Sequence, residues 1–112
     1  MKHWKLILTL MLGYLFGSIV VGGALNKLAI YNNDGRMPVR SDWVWQTSTH
    51  FAYDNKSQVN LWFLSDFIPI GHARLSIGDA IMLSGVFLNV MACVFILIYF
   101  RGQNAKERQR KA

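Results

Sequence analysis

The chain has 112 residues, of which 53% are hydrophobic, and its formal net charge is +6. The apolar residues are concentrated in two uncharged blocks, residues 6–25 and 80–100. A soluble domain of this size would have too few remaining residues to cover both blocks. The single cysteine, Cys93, excludes an internal disulfide and a multi-cysteine metal site.

Each apolar block is long enough to cross a bilayer as a helix, since about 20 residues rise roughly 30 Å. We therefore predict an all-α membrane protein with two transmembrane helices, at about residues 5–30 and 76–101. Residues 31–75 between them form an aromatic, partly extended extracytoplasmic loop, and residues 102–112 form a basic cytoplasmic tail. All four segments belong to one membrane domain.

Charge placement predicts the orientation. Lys2 and Lys5 precede the first block and a basic tail follows the second, whereas the loop is nearly neutral. Because positively charged flanks stay in the cytoplasm, both termini are expected there, in a bacterial inner membrane. The charge at the termini fixes topology, and we predict no nucleic-acid partner. The alternative for the first block is a cleaved signal peptide, with Gly22, Gly23 and Ala24 near its end.

Small residues in the first block predict helix packing. Gly13 and Gly17 form a small-xxx-small pair, which Ser18 and Gly22 extend on the next face. Either the second helix or a separate subunit, including a second copy of the chain, can occupy these faces. In the second block Asn89 is a lone polar residue, expected to form a hydrogen bond between helices.

The loop combines turn residues with aromatic side chains. The cluster Asn32 to Gly35 predicts a turn, after which Met37-Pro38-Val39 leaves the helix in an extended conformation. The segment 61–70 is too short to span a bilayer, which favours a strand or an interfacial turn. Tryptophan prefers the headgroup level of a bilayer, so we expect the four tryptophans of the chain to contact lipid at the membrane interface. These predicted interfacial residues are Trp4, Trp43, Trp45 and Trp62.

Two aspartates lie in strongly apolar surroundings, and each has two interpretations. If Asp66 and Asp79 were close together, they would share a proton and act as the general acid and base of an aspartic peptidase. The structural alternative is that Asp79 caps its own helix with Ser76, through a Ser-x-x-Asp capping box. Asp66 would then pair with Arg74 or Arg36.

Three motifs carry a resemblance to a known family. They are Asn33-Asp34-Gly35-Arg36-Met37-Pro38-Val39, Leu64-Ser65-Asp66-Phe67-Ile68-Pro69 and Ser76-Ile77-Gly78-Asp79-Ala80-Ile81. Over about residues 22–85 the chain resembles an uncharacterised family of small bacterial membrane proteins, whose members typically have more spans. That resemblance implies a membrane fold and no known activity.

A fainter resemblance is to lipoprotein signal peptidase, whose catalytic aspartates occupy positions matched by Asp66 and Asp79. Gly22 to Asn26 is similar to a glycine and asparagine stretch of that peptidase. The departures are that Ser76 and Gly78 replace an asparagine and an alanine, and that two of four spans are missing. The resemblance implies catalytic roles for both aspartates, in a dimer or with a partner.

No cofactor and no metal site is predicted, because His3, His50 and His72 are scattered and no glycine-rich phosphate loop follows a strand. The leading hypothesis is a non-enzymatic subunit or assembly factor of a larger membrane complex. The alternative is an intramembrane aspartic peptidase that uses Asp66 and Asp79 on a lipid-anchored or membrane-bound substrate.

Overall fold

A computed structural model of the chain describes residues 2–43 and 46–112, so the predicted interfacial residue Trp45 lies outside the described residues. The fold is mostly helical. Helix α1 spans Trp4–Tyr31 and helix α2 spans Ile77–Lys111. Both are long and apolar enough to cross a membrane, as the sequence predicts. Segment 102–111 continues α2 as helix.

The two helices form an antiparallel hairpin. At one end the rings of Trp4 and Phe100 meet edge to face, with centroids 5.7 Å apart. At the other end Gly22 of α1 faces Gly78 of α2. Most large apolar side chains point away from the hairpin, and Phe16 and Ile98 are 73% and 66% exposed.

The segment between the helices folds into a small cap with four short strands. Strand β1 (Met37–Arg40) pairs in parallel with β2 (His50–Tyr53), and β3 (Ile68–Ile70) pairs antiparallel with β4 (Ala73–Leu75). Two turns of 3₁₀-helix, Lys56–Gln58 and Trp62–Leu64, connect β2 to β3. The predicted extended run Met37-Pro38-Val39 lies in β1, and the apolar segment 61–70 contributes a 3₁₀ turn and then a strand.

The cap is fixed to the end of α1 by apolar and polar contacts. Ala29 of α1 is buried against Met37 and Leu64. The buried Asn33 side chain donates to the carbonyl oxygens of Ala29 and Asn60, and it accepts a hydrogen bond from the Asn60 amide. The Asn33 side-chain amide therefore closes the predicted turn and joins it to Asn60, 27 residues further along the chain.

Candidate functional site

Close contact between small residues brings the two helices together at the cap end. A Cβ atom on Gly22 would overlap the carbonyl oxygen of Gly78, and one on Gly85 would overlap the Ser18 hydroxyl. Gly22, Ser18, Gly78 and Gly85 are all buried. The structure thus places Ser18 and Gly22 in the contact between α1 and α2, where backbones can approach only without larger side chains.

A three-residue hydrogen-bond network joins α1 to the start of α2. The Asn26 amide donates to Asp79 Oδ1 at 2.7 Å, and the Ser76 hydroxyl donates to Asn26 Oδ1 at 2.6 Å. Asp79 and Ser76 also form the predicted capping box. The Asp79 backbone amide donates to the Ser76 hydroxyl at 3.0 Å, and the Ser76 backbone amide donates to Asp79 Oδ2 at 3.2 Å.

We predict that Asn26→Ala lowers the free energy of unfolding by about 1–3 kcal/mol, because the half-buried Asp79 and the fully buried Ser76 lose their partner on α1. Unfolding in mixed micelles with increasing dodecyl sulfate measures the change. Lys27→Ala, at the exposed neighbouring position, serves as the matched control and should change little. Equal losses in the two variants would contradict a specific role for the network.

Further along the hairpin, polar groups cross between the helices at two more levels. The hydroxyls of Tyr14 and Ser84 are 3.0 Å apart, and the Asn89 amide donates to the Met11 carbonyl at 2.8 Å. Asn89 also donates to the Gly85 carbonyl within α2. Asn89 therefore forms a hydrogen bond between the two helices.

Gly13 and Gly17 have different surroundings from Ser18 and Gly22. No atom would lie within 4 Å of a Cβ added at either glycine. At 3.6 residues per turn they lie on the side of α1 opposite Gly22. The contact with the second helix that the sequence suggested for Gly13 and Gly17 is thus not formed, and this face of α1 is open.

Asp66 lies in the cap, on the wall of a cavity of about 560 Å³. Its backbone is held by β1, because its amide donates to the Pro38 carbonyl and its carbonyl accepts from the Arg40 amide, both at 2.9 Å. We call this space the Asp66 cavity. It is lined by Val39, Arg40, Ser41, His50, Asp66, Gly71, His72 and Arg74.

The Asp66 carboxyl is buried with little compensation. Only 10% of its side chain is exposed, Oδ1 has no hydrogen-bond partner, and Oδ2 lies 3.9 Å from His50 Nε2. The predicted ion pair with Arg74 or Arg36 is not formed, since Arg36 donates to Gln46 and lies over the Phe51 ring. Burial first, and then the negative charge of Asp79, raise the pKa of Asp66 from 3.8 to about 7.

The two aspartates have separate partners. Asp79 accepts from Asn26 and Ser76, whereas Asp66 faces His50, and within the described chain no hydrogen bond joins the two carboxyls. The effect of Asp79 on the pKa of Asp66 is electrostatic. Catalytic roles for the pair remain a prediction.

The predicted interfacial tryptophans have different surroundings. Trp43 is 81% exposed, and Trp4 is half-buried beside Phe100. Trp62 contacts the Phe67 ring edge to face, and the Lys56 ammonium lies 3.6 Å from its centroid. Cys93 is exposed on α2. Across residues 2–43 and 46–112, no three histidine, cysteine or acidic side chains come together in a way that could hold a metal ion.

Several residues of the site were not singled out by sequence reasoning. Asn26 is marked in the sequence only by the peptidase resemblance, although its spacing of four from Gly22 puts both residues on one helix face. No sequence pattern indicates that His50 and Arg40 share a cavity with Asp66, because the parallel pairing of β1 with β2 brings them together. Such pairing between distant segments has no local pattern.

The fold and site therefore define a class: a hairpin of two apolar helices joined through polar contacts, with a folded cap that contains a buried acid. The chain belongs to a family of unknown function (DUF5317), whose model matches residues 6–91. This agrees with the resemblance to an uncharacterised family. No curated protein and no solved structure matches the chain, so the resemblance to lipoprotein signal peptidase receives no support.

Proposed function

We propose that the protein is inserted in a bacterial inner membrane as a two-span hairpin, with both termini in the cytoplasm. The outward apolar side chains of both helices support this, because their exposure to water would be costly. Lysines and arginines flank the helices at the termini, and the cap between them is nearly neutral. The cap would then lie on the extracytoplasmic side, with Trp43 and Trp62 near the headgroups.

Within that membrane, we propose that the protein is a non-enzymatic subunit or assembly factor of a larger membrane complex. The single observation that carries this proposal is the open face of α1 around Gly13 and Gly17. Glycines four residues apart let a helix backbone approach closely, and α2 already occupies the opposite side of α1. A transmembrane helix of another subunit fits the remaining face, and its packing would offset the poor helix propensity of the glycines.

A photo-crosslinking amino acid at Leu10, an exposed residue one turn from Gly13 on the same side of α1, tests this proposal in native membranes and leaves both glycines in place. We expect an adduct of one defined mass, and we expect Gly13→Leu to reduce its yield at least about tenfold, as a loss of about 1.4 kcal/mol in packing would do. The hairpin itself should remain folded, because a Cβ atom added at Gly13 has no other atom within 4 Å.

The matched control places the crosslinker at Gly23, which is also open but lies on another face of α1. Adducts of equal yield at Leu10 and Gly23, or insensitivity to Gly13→Leu, would contradict docking on this face. The mass of the adduct separates a foreign subunit from a second copy, and only the foreign subunit supports the proposed complex.

A second candidate function is the aspartic peptidase. The observation in its favour is the pKa of Asp66, which at about 7 suits a group that must both take and give a proton. Against it, both oxygens of Asp79 are engaged in the capping box and with Asn26. Cleavage of a lipid-anchored substrate by the wild type, lost in both Asp66→Asn and Asp79→Asn, would establish this function in place of the first.

A further inference from the structure

The Asp66 cavity has the size and the chemistry of a small-ligand site that the proposed subunit role does not use. Its volume of about 560 Å³ falls within the range of about 300–1,000 Å³ that is usual for such sites. We propose that it binds a phosphate joined to a primary ammonium, as in the phosphoethanolamine headgroup of a phospholipid.

Two arginines supply the phosphate end of the site. Arg40 and Arg74 line the cavity, both are exposed, and neither forms an ion pair with an acid in the described part of the chain. Guanidinium groups match the geometry of phosphate oxygens and bind them through paired hydrogen bonds. An anionic group at the mouth of the cavity would therefore find two unneutralised cations.

A buried acid supplies the ammonium end. Neither arginine neutralises Asp66, whose nearest basic atom is His50 Nε2 at 3.9 Å, and Oδ1 has no partner. A buried carboxyl in this state lacks the cation and the N–H donors that would compensate its desolvation. A primary ammonium provides both, whereas the quaternary ammonium of choline has no N–H to donate.

The backbone holds the acid and one arginine in a fixed relation. The Asp66 carbonyl accepts from the Arg40 amide, and the Asp66 amide bonds to Pro38, so both residues belong to the β1 scaffold. Arg74 lies opposite Pro69 in the antiparallel pair of β3 and β4. The backbones of the residues that would contact phosphate and ammonium are thus held by hydrogen bonds to or within strands before a ligand arrives, which lowers the entropic cost of binding.

The position of the cavity along the chain favours a lipid as the source of the ligand. Arg74 lies two residues before Ser76, the N-cap of α2. If α2 spans the bilayer as proposed above, its first turn lies at the headgroup level. The lipid source therefore rests on the proposed membrane insertion, whereas the recognition chemistry of the cavity does not. A soluble phosphoethanolamine ester would satisfy the same groups.

Native mass spectrometry of the full chain from nanodiscs tests the proposal. The nanodiscs contain phosphatidylcholine with equal minor amounts of phosphatidylethanolamine and phosphatidylglycerol. We expect the protein to retain one phosphatidylethanolamine. Relative to the abundance of each lipid in the nanodisc, its retention should exceed that of each of the other lipids at least about tenfold. Asp66→Asn should remove the preference over phosphatidylglycerol, and Arg74→Gln should weaken retention of both lipids.

Matched controls are Asp54→Asn, at an exposed acid of the cap, and Arg101→Gln, at an exposed position of α2 far along the chain from the cap. Both should retain phosphatidylethanolamine as the wild type does. Circular dichroism checks that each variant is folded, and Arg40→Gln provides a second loss of phosphate contact if Arg74→Gln is unstable. A preference that survives Asp66→Asn, or equal retention of all three lipids, would overturn the proposal.

A second arm distinguishes the source of the ligand and uses glycerophosphoethanolamine as the probe, with the protein in detergent. Displacement of retained phosphatidylethanolamine by this soluble ester supports recognition of the headgroup by the cavity. Binding of the ester without lipid retention supports a soluble ligand, and binding of neither overturns the proposal. Failure of the crosslinking from Leu10 leaves these results unaffected, so the subunit role and the ligand site can fail separately.

Discussion

Replacing Asp66 by asparagine should stabilise the protein against unfolding more at about pH 8.5 than at about pH 5. Burial and the charge of Asp79 raise the pKa of this carboxyl from 3.8 to about 7. Asparagine resembles the protonated acid, so the variant avoids the cost of ionisation that the wild type meets at high pH. About two pKa units lie between pH 5 and the folded pKa of about 7, and one unit corresponds to about 1.4 kcal/mol, so the difference between the two pH values is at most about 3 kcal/mol.

The direction follows from proton binding in the two states. Between about pH 4 and about pH 7 the folded wild type holds a proton on Asp66 that the unfolded chain has released. This contribution to stability is complete below the unfolded pKa and is lost as the pH rises through the folded pKa. The ionisable groups around the carboxyl are present in both the wild type and the variant; they are Arg40, His50, His72 and Arg74 in the cavity and Asp79 on α2.

Thermal unfolding in detergent, followed by tryptophan fluorescence, measures the effect as the difference in Tm between variant and wild type at the two pH values. Asp54→Asn is the matched control, because this acid is exposed in the cap and its substitution should give the same difference at both pH values. A stabilisation by Asp66→Asn that is equal at both pH values, or larger at the lower one, would show that the carboxyl is not destabilised by burial.

The second large effect is expected at the helix contact. Gly22→Ala should lower the free energy of unfolding by about 1–3 kcal/mol, because its Cβ overlaps the backbone carbonyl of Gly78 and the helices must separate. The adjacent Gly23→Ala places the same methyl group in open space. It should be neutral or stabilising by up to about 1 kcal/mol, through the better helix propensity of alanine.

Titration with dodecyl sulfate in mixed micelles compares the two glycine variants under one condition, and the Asn26 to Asp79 hydrogen bond offers a local readout. The nitrogen chemical shift of the Asn26 side-chain amide should move in Gly22→Ala, because separation of the helices lengthens its hydrogen bond to Asp79, and stay in Gly23→Ala, where the added methyl group meets no atom. If both substitutions cost the same, the close approach of Gly22 to Gly78 is not what holds the hairpin together.

The sequence alone determined the two helices and their boundaries at the cap. A long run of uncharged, mostly apolar residues predicts an apolar helix, because this signal lies within one continuous segment and needs no contact with a distant one. The capping box of Ser76 and Asp79 was readable for the same reason, since its partners are three residues apart. The turn at Asn32 to Gly35 likewise depends on neighbouring residues only.

Only the tertiary structure decided which side of α1 meets α2, and what surrounds Asp66. Gly13 with Gly17 and Ser18 with Gly22 have the same four-residue spacing, so the sequence could not tell an open face from a packed one. The partner of Asp66 depends on parallel pairing between β1 and β2, which brings His50 and Arg40 to one cavity. Contacts between distant segments depend on register and packing, and these are properties of the folded chain that no local pattern encodes.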